Sequence, residues 1–292
     1  DVWDDLADTP SEAAIMRDVG EPLGLDTRAA AAAILEVVNE NMAQAARMYV
    51  AERGGDVERV VMVAFGGGGP LHAHQVARKL GVGRILIPEA AGVFSALGFL
   101  AAAPAFEVAR SHPMRLADVT KEALETIFAP LADEADAVVS QAAPGAPISH
   151  RMIAEMRYEG QGHQLRVPLD SFDREAIGKA FSATYAAAYG YAYDDLAPEI
   201  VTLRLSAVAD QPTASVTGGA TVAEVAPGTR DAWDPVSGAM QPHRVLPFDM
   251  LSGTVDGPAL LAQPGTTILI GAGARAQRME GGWLEITVKD AT

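Results

Sequence analysis

Four consecutive glycines, Gly66 to Gly69, constrain this chain more than any other feature of its sequence. They follow an apolar run, Val60 to Phe65, which predicts a buried strand covered on both faces. Pro70 comes directly after them and suits the first turn of a helix, where no N–H is needed. Glycines lack a Cβ atom, so a ligand can approach their peptide groups closely. A strand, a glycine loop and a helix N-terminus in this order predict a site for phosphate or another anion.

The same stretch does not match the two common nucleotide-binding patterns. No Lys-Ser or Lys-Thr pair follows the glycines, as the P-loop requires, and the spacing lacks the third glycine of the dinucleotide fingerprint. The residues alone therefore leave two alternatives open. The segment is either a ligand-binding loop or a tight turn that joins a strand to a helix.

Composition excludes several classes of function. The chain has 292 residues, enough for one large or two ordinary domains, and its 49% hydrophobic content predicts a folded globular protein. The net charge of −16 counts against nucleic acid and against anionic membrane surfaces as partners. The absence of cysteine excludes disulfides and a cysteine nucleophile. With an acidic first segment and no long apolar stretch, we expect a cytoplasmic protein.

Several segments have clear local patterns. Alanine-rich residues 26–54 predict a helix that Asp26 or Thr27 caps, in which Asn39 faces solvent or bonds to the backbone. Residues 120–141 and 173–189 predict two further helices, and residues 148–158 and 163–169 predict a hairpin. Residues 106–116 and 199–209 predict strands, whereas residues 211–235, rich in Thr, Gly and Pro, predict a loop.

Two motifs around the glycines carry a family resemblance. The segments AFGGGGPLHA (residues 64–73) and RILIPEAAGVFSALGFL (residues 84–100) resemble the signature of the A-type subunits of the hydantoinase/oxoprolinase family. That family includes ATP-dependent hydantoinases, 5-oxoprolinases and subunits of acetone and acetophenone carboxylases. Further matches are Asn39, Glu40, Met42 and Ala43 upstream, and MRYEGQGHQLRVPL (residues 156–169) and DGPALLAQPGTT (residues 256–267) downstream. Two positions depart from the family pattern: Gly68 replaces an alanine and Gln164 a glutamate.

The resemblance implies an α/β fold. Residues 1–116 are expected to form the downstream part of an ATPase lobe of the actin/sugar-kinase/Hsp70 type. Residues 117–292 are expected to form a C-terminal α+β domain rich in antiparallel strands. The phosphate-binding turn of the family's N-terminal lobe, a DxGGT-like segment, does not occur before Val60. We therefore expect a partner chain to supply that lobe.

The resemblance also implies a nucleotide site. Gly66, Gly67, Gly68 and Gly69 are expected to line an ATP site, with His72 and Gly92 beside it. His72 either bonds to a phosphate or its water, or caps the neighbouring turn. Gly92 is expected to help form a second nest, near the nucleotide base or the domain interface. His72 and His74 are two positions apart and so lie on different sides of a helix, which argues against a metal pair. We predict no metal ligand and identify no catalytic residue.

The implied function is an ATP-dependent hydrolase. It would open a cyclic amide of the hydantoin, 5-oxoproline or lactam type by phosphorylating the substrate oxygen. Expected cofactors are ATP and Mg²⁺, the metal held mainly by the phosphates and the partner lobe. Expected partners are a B-type hydantoinase or carboxylase subunit and a small-molecule substrate. Two alternatives stay open: a subunit of an ATP-dependent ketone carboxylase, and a structural subunit without catalysis.

Overall fold

A computed structural model describes residues 9–193, 195–210 and 225–288 of the chain. The chain divides into two compact units. The first unit combines residues 1–100 with residues 216–292, and the second unit consists of residues 101–215. In the described residues, no helix is both long enough and apolar enough to cross a lipid bilayer.

Helices and strands alternate irregularly along the chain. The α-helices are α1 (Thr9–Ile15), α2 (Glu21–Leu23), α3 (Thr27–Ala51), α4 (Gly69–Leu80), α5 (Phe94–Ala101), α6 (Lys121–Ala142) and α7 (Arg174–Tyr189). The strands are β1 (Met62–Val63), β2 (Arg84–Ile87), β3 (Ala105–Arg115), β4 (Ile148–Tyr158), β5 (Leu165–Pro168), β6 (Pro198–Ala209), β7 (Gly228–Asp234), β8 (Ala239–Pro247), β9 (Thr254–Asp256), β10 (Ala259–Gln263), β11 (Thr266–Ile270), β12 (Arg275–Arg278) and β13 (Leu284–Thr287).

The two helices that flank the glycine loop have the ends that their sequences predict. Helix α3 begins where the Asp26 carboxylate accepts a hydrogen bond from the Ala29 N–H at 2.8 Å, which satisfies a free backbone donor. Helix α4 has Gly68 as its N-cap and Pro70 in its first turn, and it ends at Gly81, whose φ of 75° is left-handed. The predicted helix over residues 26–54 is thus confirmed within a few residues.

Two sheets build the first unit. One has five strands in the order β1-β2-β13-β12-β9, in which only β1 and β2 run parallel. The other has four strands in the order β11-β10-β8-β7. The core joins apolar residues of α4, of β2 and of one face of the second sheet: Ala73, Val76, Ala77, Leu80, Ile85, Ile87, Leu261, Ile268 and Ile270.

The strand before the glycines differs from its prediction. Only Met62 and Val63 are strand, and β1 lies at the edge of its sheet. The side chains of Val60, Val61, Val63 and Phe65 are 39% to 44% exposed. The prediction of a strand buried on both faces is therefore wrong for this structure. In the described part of the chain, β1 pairs with β2 alone and no strand lies on its outer edge.

The second unit is an antiparallel sheet packed against two helices. Its strands follow the order β3-β6-β4-β5, and β4 and β5 form the predicted hairpin, with Met156 paired to Leu165. Helices α6 and α7 begin at Thr120 and Asp173, whose side chains accept hydrogen bonds from backbone N–H groups. Their apolar faces join the sheet in a core that includes Leu124, Phe128, Tyr158, Phe181 and Leu203.

The units do not follow the predicted division into residues 1–116 and 117–292. The C-terminal segment returns to the first unit because β13 inserts beside β2, with Ile286 paired to Ile85. Strand β3, over residues predicted to form a strand that leaves the first domain, pairs with β6 in the second unit. The predicted loop over residues 211–235 contains β7, and its first part, residues 211–224, lies outside the described residues.

Candidate functional site

The four-glycine loop joins β1 to α4 and is held at two points. Gly66 has a φ of 91°, and its N–H donates a 2.7 Å hydrogen bond to the Ala91 carbonyl. The Thr266 hydroxyl donates a 2.9 Å hydrogen bond to the Gly67 carbonyl. Ala91 follows β2 and Thr266 begins β11, so two distant segments fix the loop.

The loop leaves open space beside its Cα atoms. Among the described residues, a Cβ atom built on Gly66, Gly68 or Gly69 would meet no atom within 4 Å, and one on Gly67 would meet only the Gly265 carbonyl oxygen, at 3.5 Å. Crowding therefore does not require glycine at these four positions, and only Gly66 needs it for its backbone angle. Because the loop is exposed at Gly67 and Gly68 and leads into the N-terminus of α4, an anion can reach it there.

Gly92 has the opposite environment. A Cβ atom there would lie 2.8 Å from the Gly265 carbonyl carbon and 2.9 Å from the Pro264 oxygen. Glycine is thus required for close packing against the turn between β10 and β11. The neighbouring Ala91 N–H donates to the buried Gln263 side chain at 2.9 Å, which holds the same turn in place. Gly92 supports the loop through this turn, and contact with a ligand stays a prediction.

His72 is bonded to a buried asparagine on the neighbouring helix. Its Nδ1 lies 2.8 Å from Oδ1 of Asn39, a residue of α3 that is only 2% exposed. Because an amide oxygen only accepts hydrogen bonds, Nδ1 carries the proton, and in the neutral ring Nε2 keeps its lone pair. Both interpretations of Asn39, solvent exposure and bonding to its own backbone, are therefore wrong. The pattern of polar residues in α3 did not indicate that Asn39 is buried.

Ion pairs fix α3 against α4 beyond this contact. The Lys79 ammonium pairs with Glu36 and, at 3.1 Å, with Glu40. The hydrogen bond to Glu36 is the main reason that the pKa of Lys79 is raised, against the opposing effect of burial. The Arg47 guanidinium also donates to the Lys79 carbonyl at 2.8 Å. Glu40 belongs to the same family-like motif as Asn39, so this motif holds the helix that begins at the glycine loop.

His74 has a structural environment. It is 1% exposed, and its ring fills the space where a Cβ of Gly271 would lie, 2.3 Å from one ring carbon. Burial, and then the nearby charge of Arg78, lower its pKa to about 4, and Asp234 partly opposes them. His72 and His74 thus point to different environments, as their spacing predicts. Among the described residues, no group of three or more His, Cys, Asp or Glu side chains could hold a metal ion.

The fold of this chain is similar to part of a solved enzyme structure. The chain aligns with the crystal structure of an ATP-dependent caprolactamase from Pseudomonas jessenii with a TM-score of 0.70 and 25% sequence identity. The alignment covers 95% of this chain and 42% of that chain. The fold is α/β, part of an ATPase lobe with an antiparallel α+β unit.

The sequence comparisons find a similarity to one family over part of the chain. Residues 7–108 match the model of the hydantoinase/oxoprolinase family. The alpha subunit of caprolactamase from Pseudomonas jessenii is 29% identical over 67% of this chain and 30% of its own length. The acetone carboxylase beta subunit of Xanthobacter autotrophicus is 27% identical over 60% of this chain and 27% of its own length. Within residues 7–108 the chain is thus similar to the hydantoinase/oxoprolinase family, and it spans less than a third of the length of these two relatives.

Proposed function

We propose that this chain contributes one wall of the ATP site in an enzyme that opens a cyclic amide. The observation that carries this proposal is the open glycine loop, in which a Cβ atom on Gly68 or Gly69 would meet no described atom within 4 Å immediately before α4. Relatives named as an ATP-dependent caprolactamase and as its alpha subunit support both ATP and a cyclic amide. An amide is a poor electrophile, and ATP would supply the phosphoryl group that turns its oxygen into a leaving group.

The residues of this chain would bind and orient the nucleotide. Gly67, Gly68 and Gly69 would approach it with backbone groups, aided by the positive end of the α4 dipole. His72 would accept a hydrogen bond at Nε2 or, when protonated, donate one to a phosphate oxygen. Gly92 would act indirectly, by allowing the turn that holds Gly67. Mg²⁺, if it takes part, would be held by the phosphates and by groups outside the described residues.

A second polypeptide segment would complete the ATPase lobe. Strand β1 lies at the edge of its sheet, and an open parallel edge strand is normally covered. Val63 in β1, and Val60 and Val61 just before it, are also exposed. The caprolactamase structure has more than half of its length outside the aligned region. We therefore infer a partner chain or segment that pairs with β1 and supplies the N-terminal lobe. The relatives named as subunits also support a separate B-type subunit.

A ketone carboxylase is the second candidate function. The acetone carboxylase beta subunit is the relative that favours it. The two candidates differ in one dependence: a carboxylase turns over ATP only with bicarbonate and a ketone, whereas an amide hydrolase needs a lactam or hydantoin alone. Turnover of ATP by the assembled complex, measured with each substrate set, separates them.

Nucleotide binding tests the proposal directly. Isothermal titration of the assembled complex with ATP should show binding that Gly68→Val weakens by about tenfold or more, because the side chain enters the open space. The matched control is Gly83→Val at the far end of α4, where a Cβ also meets no atom within 4 Å. Equal affinity in both variants and the wild type would remove the glycine loop from the site and favour a structural subunit.

A further inference from the structure

A cavity of about 700 Å³ lies in the first unit, lined by α3, α4 and the four-stranded sheet. Strand register places Val245 beside Leu260, and Leu260 beside Leu269, so these three form an apolar row on one face of the sheet. Ala262 and Thr267 extend that face. The opposite face, with Leu261 and Ile268, is buried in the core. The cavity is therefore a separate space on the second face of the sheet.

Two helices supply the other walls. Leu35 and Asn39 lie one turn apart on α3, and Leu71 and Gln75 lie one turn apart on α4, so each pair shares a helix face. In each pair an apolar side chain is followed by an amide. Trp233 and Pro235 add flat ring surfaces at the end of β7, and a smaller space of about 260 Å³ shares both of them, together with Asn39 and Gln75.

One polar atom in this wall has no partner. The Gln75 Oε1 is buried and accepts no hydrogen bond from any described residue. The Asn39 oxygen cannot satisfy it, because an amide oxygen only accepts hydrogen bonds, and this one accepts from His72. An unpaired buried acceptor is unfavourable, and because Gln75 lines the cavity, rotation of its amide group would let Oε1 accept from an N–H group placed there.

The wall also defines the charge and size of an occupant. Arg230 and Asp231 are the charged residues that line the cavity, and their charges are opposite, so neither an anion nor a cation is favoured by their sum. A volume of about 700 Å³ falls in the range of small-molecule sites, and the mixture of apolar walls with a few convergent polar groups is typical of them.

We propose that this cavity binds a small neutral molecule with a flat apolar body and an N–H group that donates to Gln75 Oε1. The apolar body would lie on the Val245–Leu260–Leu269 row and against Trp233. None of the residues Gly66 to Gly69 lines the cavity, so the site is separate from the proposed nucleotide loop.

A matched pair of probes tests this chemistry. Benzamide and acetophenone share a phenyl ring and a carbonyl group, and only benzamide has N–H donors. Each is titrated into the full chain and into its assembled complex, with leucine and valine methyl groups labelled for NMR. We expect benzamide to shift the methyl signals of Leu35, Val245, Leu260 and Leu269, and to bind about tenfold more tightly than acetophenone.

Two variants assign the preference to one atom. Gln75→Met keeps the length of the side chain and removes its hydrogen-bonding atoms, so the two probes should then bind within about twofold of each other. The control is Gln44→Met, at an exposed position of α3, which should retain the wild-type preference. Unchanged methyl spectra without probe establish that each variant is folded.

Three results would overturn the proposal. The first is equal affinity of the wild-type chain for both probes, or no binding of either. The second is a Gln75→Met variant that keeps the preference for benzamide. The third is an assembled complex in which the cavity methyl groups no longer respond, which would show that a protein segment fills the space.

Discussion

Around the N-terminus of α4, glycine and histidine residues lie in two opposite environments, one open and one closely packed. On the open side, Gly68 and Gly69 face free space and His72 keeps one ring nitrogen available. On the packed side, Gly92 touches the Pro264–Gly265 turn, and His74 is enclosed against Gly271. The same residue types therefore leave space for a ligand in one environment and allow close packing in the other. A sequence motif that contains them does not show which of the two environments a given residue has.

The largest expected effect is that of filling the space at Gly92. Gly92→Val should reduce the free energy of unfolding by about 3 kcal/mol, because its side chain would overlap backbone atoms that cannot rotate away. Gly69→Val, on the open side, meets no neighbour and should lose less than about 1 kcal/mol. Urea denaturation of the three proteins measures both values. Equal losses at the two positions would remove the contrast between the open and packed sides.

The second prediction concerns the pH dependence of His74. Its pKa is about 4 in the folded chain and 6.5 as an ordinary histidine, so the unfolded chain binds the proton more readily between those values. Stability contributed by the neutral ring is present above pH 6.5 and falls by about 3 kcal/mol as the pH drops towards 4. His74→Gln should show a shallower decline over that range than the wild type in denaturation experiments.

The third prediction concerns why the glycine loop needs glycine, and it separates the effect of the backbone angle from the effect of steric crowding. Gly66→Ala should cost about 1–2 kcal/mol of stability although no atom lies in its way, because its φ of 91° is unfavourable for alanine. Gly68→Ala, with a φ of −103°, should be neutral or raise stability by about 0.5 kcal/mol. Thermal unfolding of both variants decides this, and a loss of the same size at Gly68 would contradict the assignment.

The smallest expected effect is at the hydroxyl that anchors the loop. Thr266→Val removes the hydrogen bond to the Gly67 carbonyl and should lower stability by about 1 kcal/mol. It should also increase hydrogen exchange at the amides of the glycine loop. Thr267→Val is the control, since that side chain faces the cavity on the other side of β11. No change in loop exchange would mean that Ala91 alone holds the loop.

The interior of each unit was more predictable than its borders. Helix α3, the β4–β5 hairpin and helix α7 follow from periodicity, caps and turn residues that lie within each segment. The end of the first domain did not follow, because Arg84 bonds to Glu285, a residue 201 positions away. The sequence did not indicate the cavity around Gln75 either, since its walls combine α3 and α4 with β7, β8, β10 and β11, which come much later in the chain.

By itself, the sequence determined the order of strand, glycine loop and helix, and it contains the motifs that resemble those of the hydantoinase/oxoprolinase family. These properties depend on backbone preferences and on residues that are close together in the chain. Only the tertiary structure decided that β1 is an edge strand, that Gly92 is packed while Gly68 is open, and that Asn39 bonds to His72. The physical reason is that the exposure and the hydrogen-bond partners of a residue depend on which distant segments pack against it. The local sequence pattern does not specify those long-range contacts.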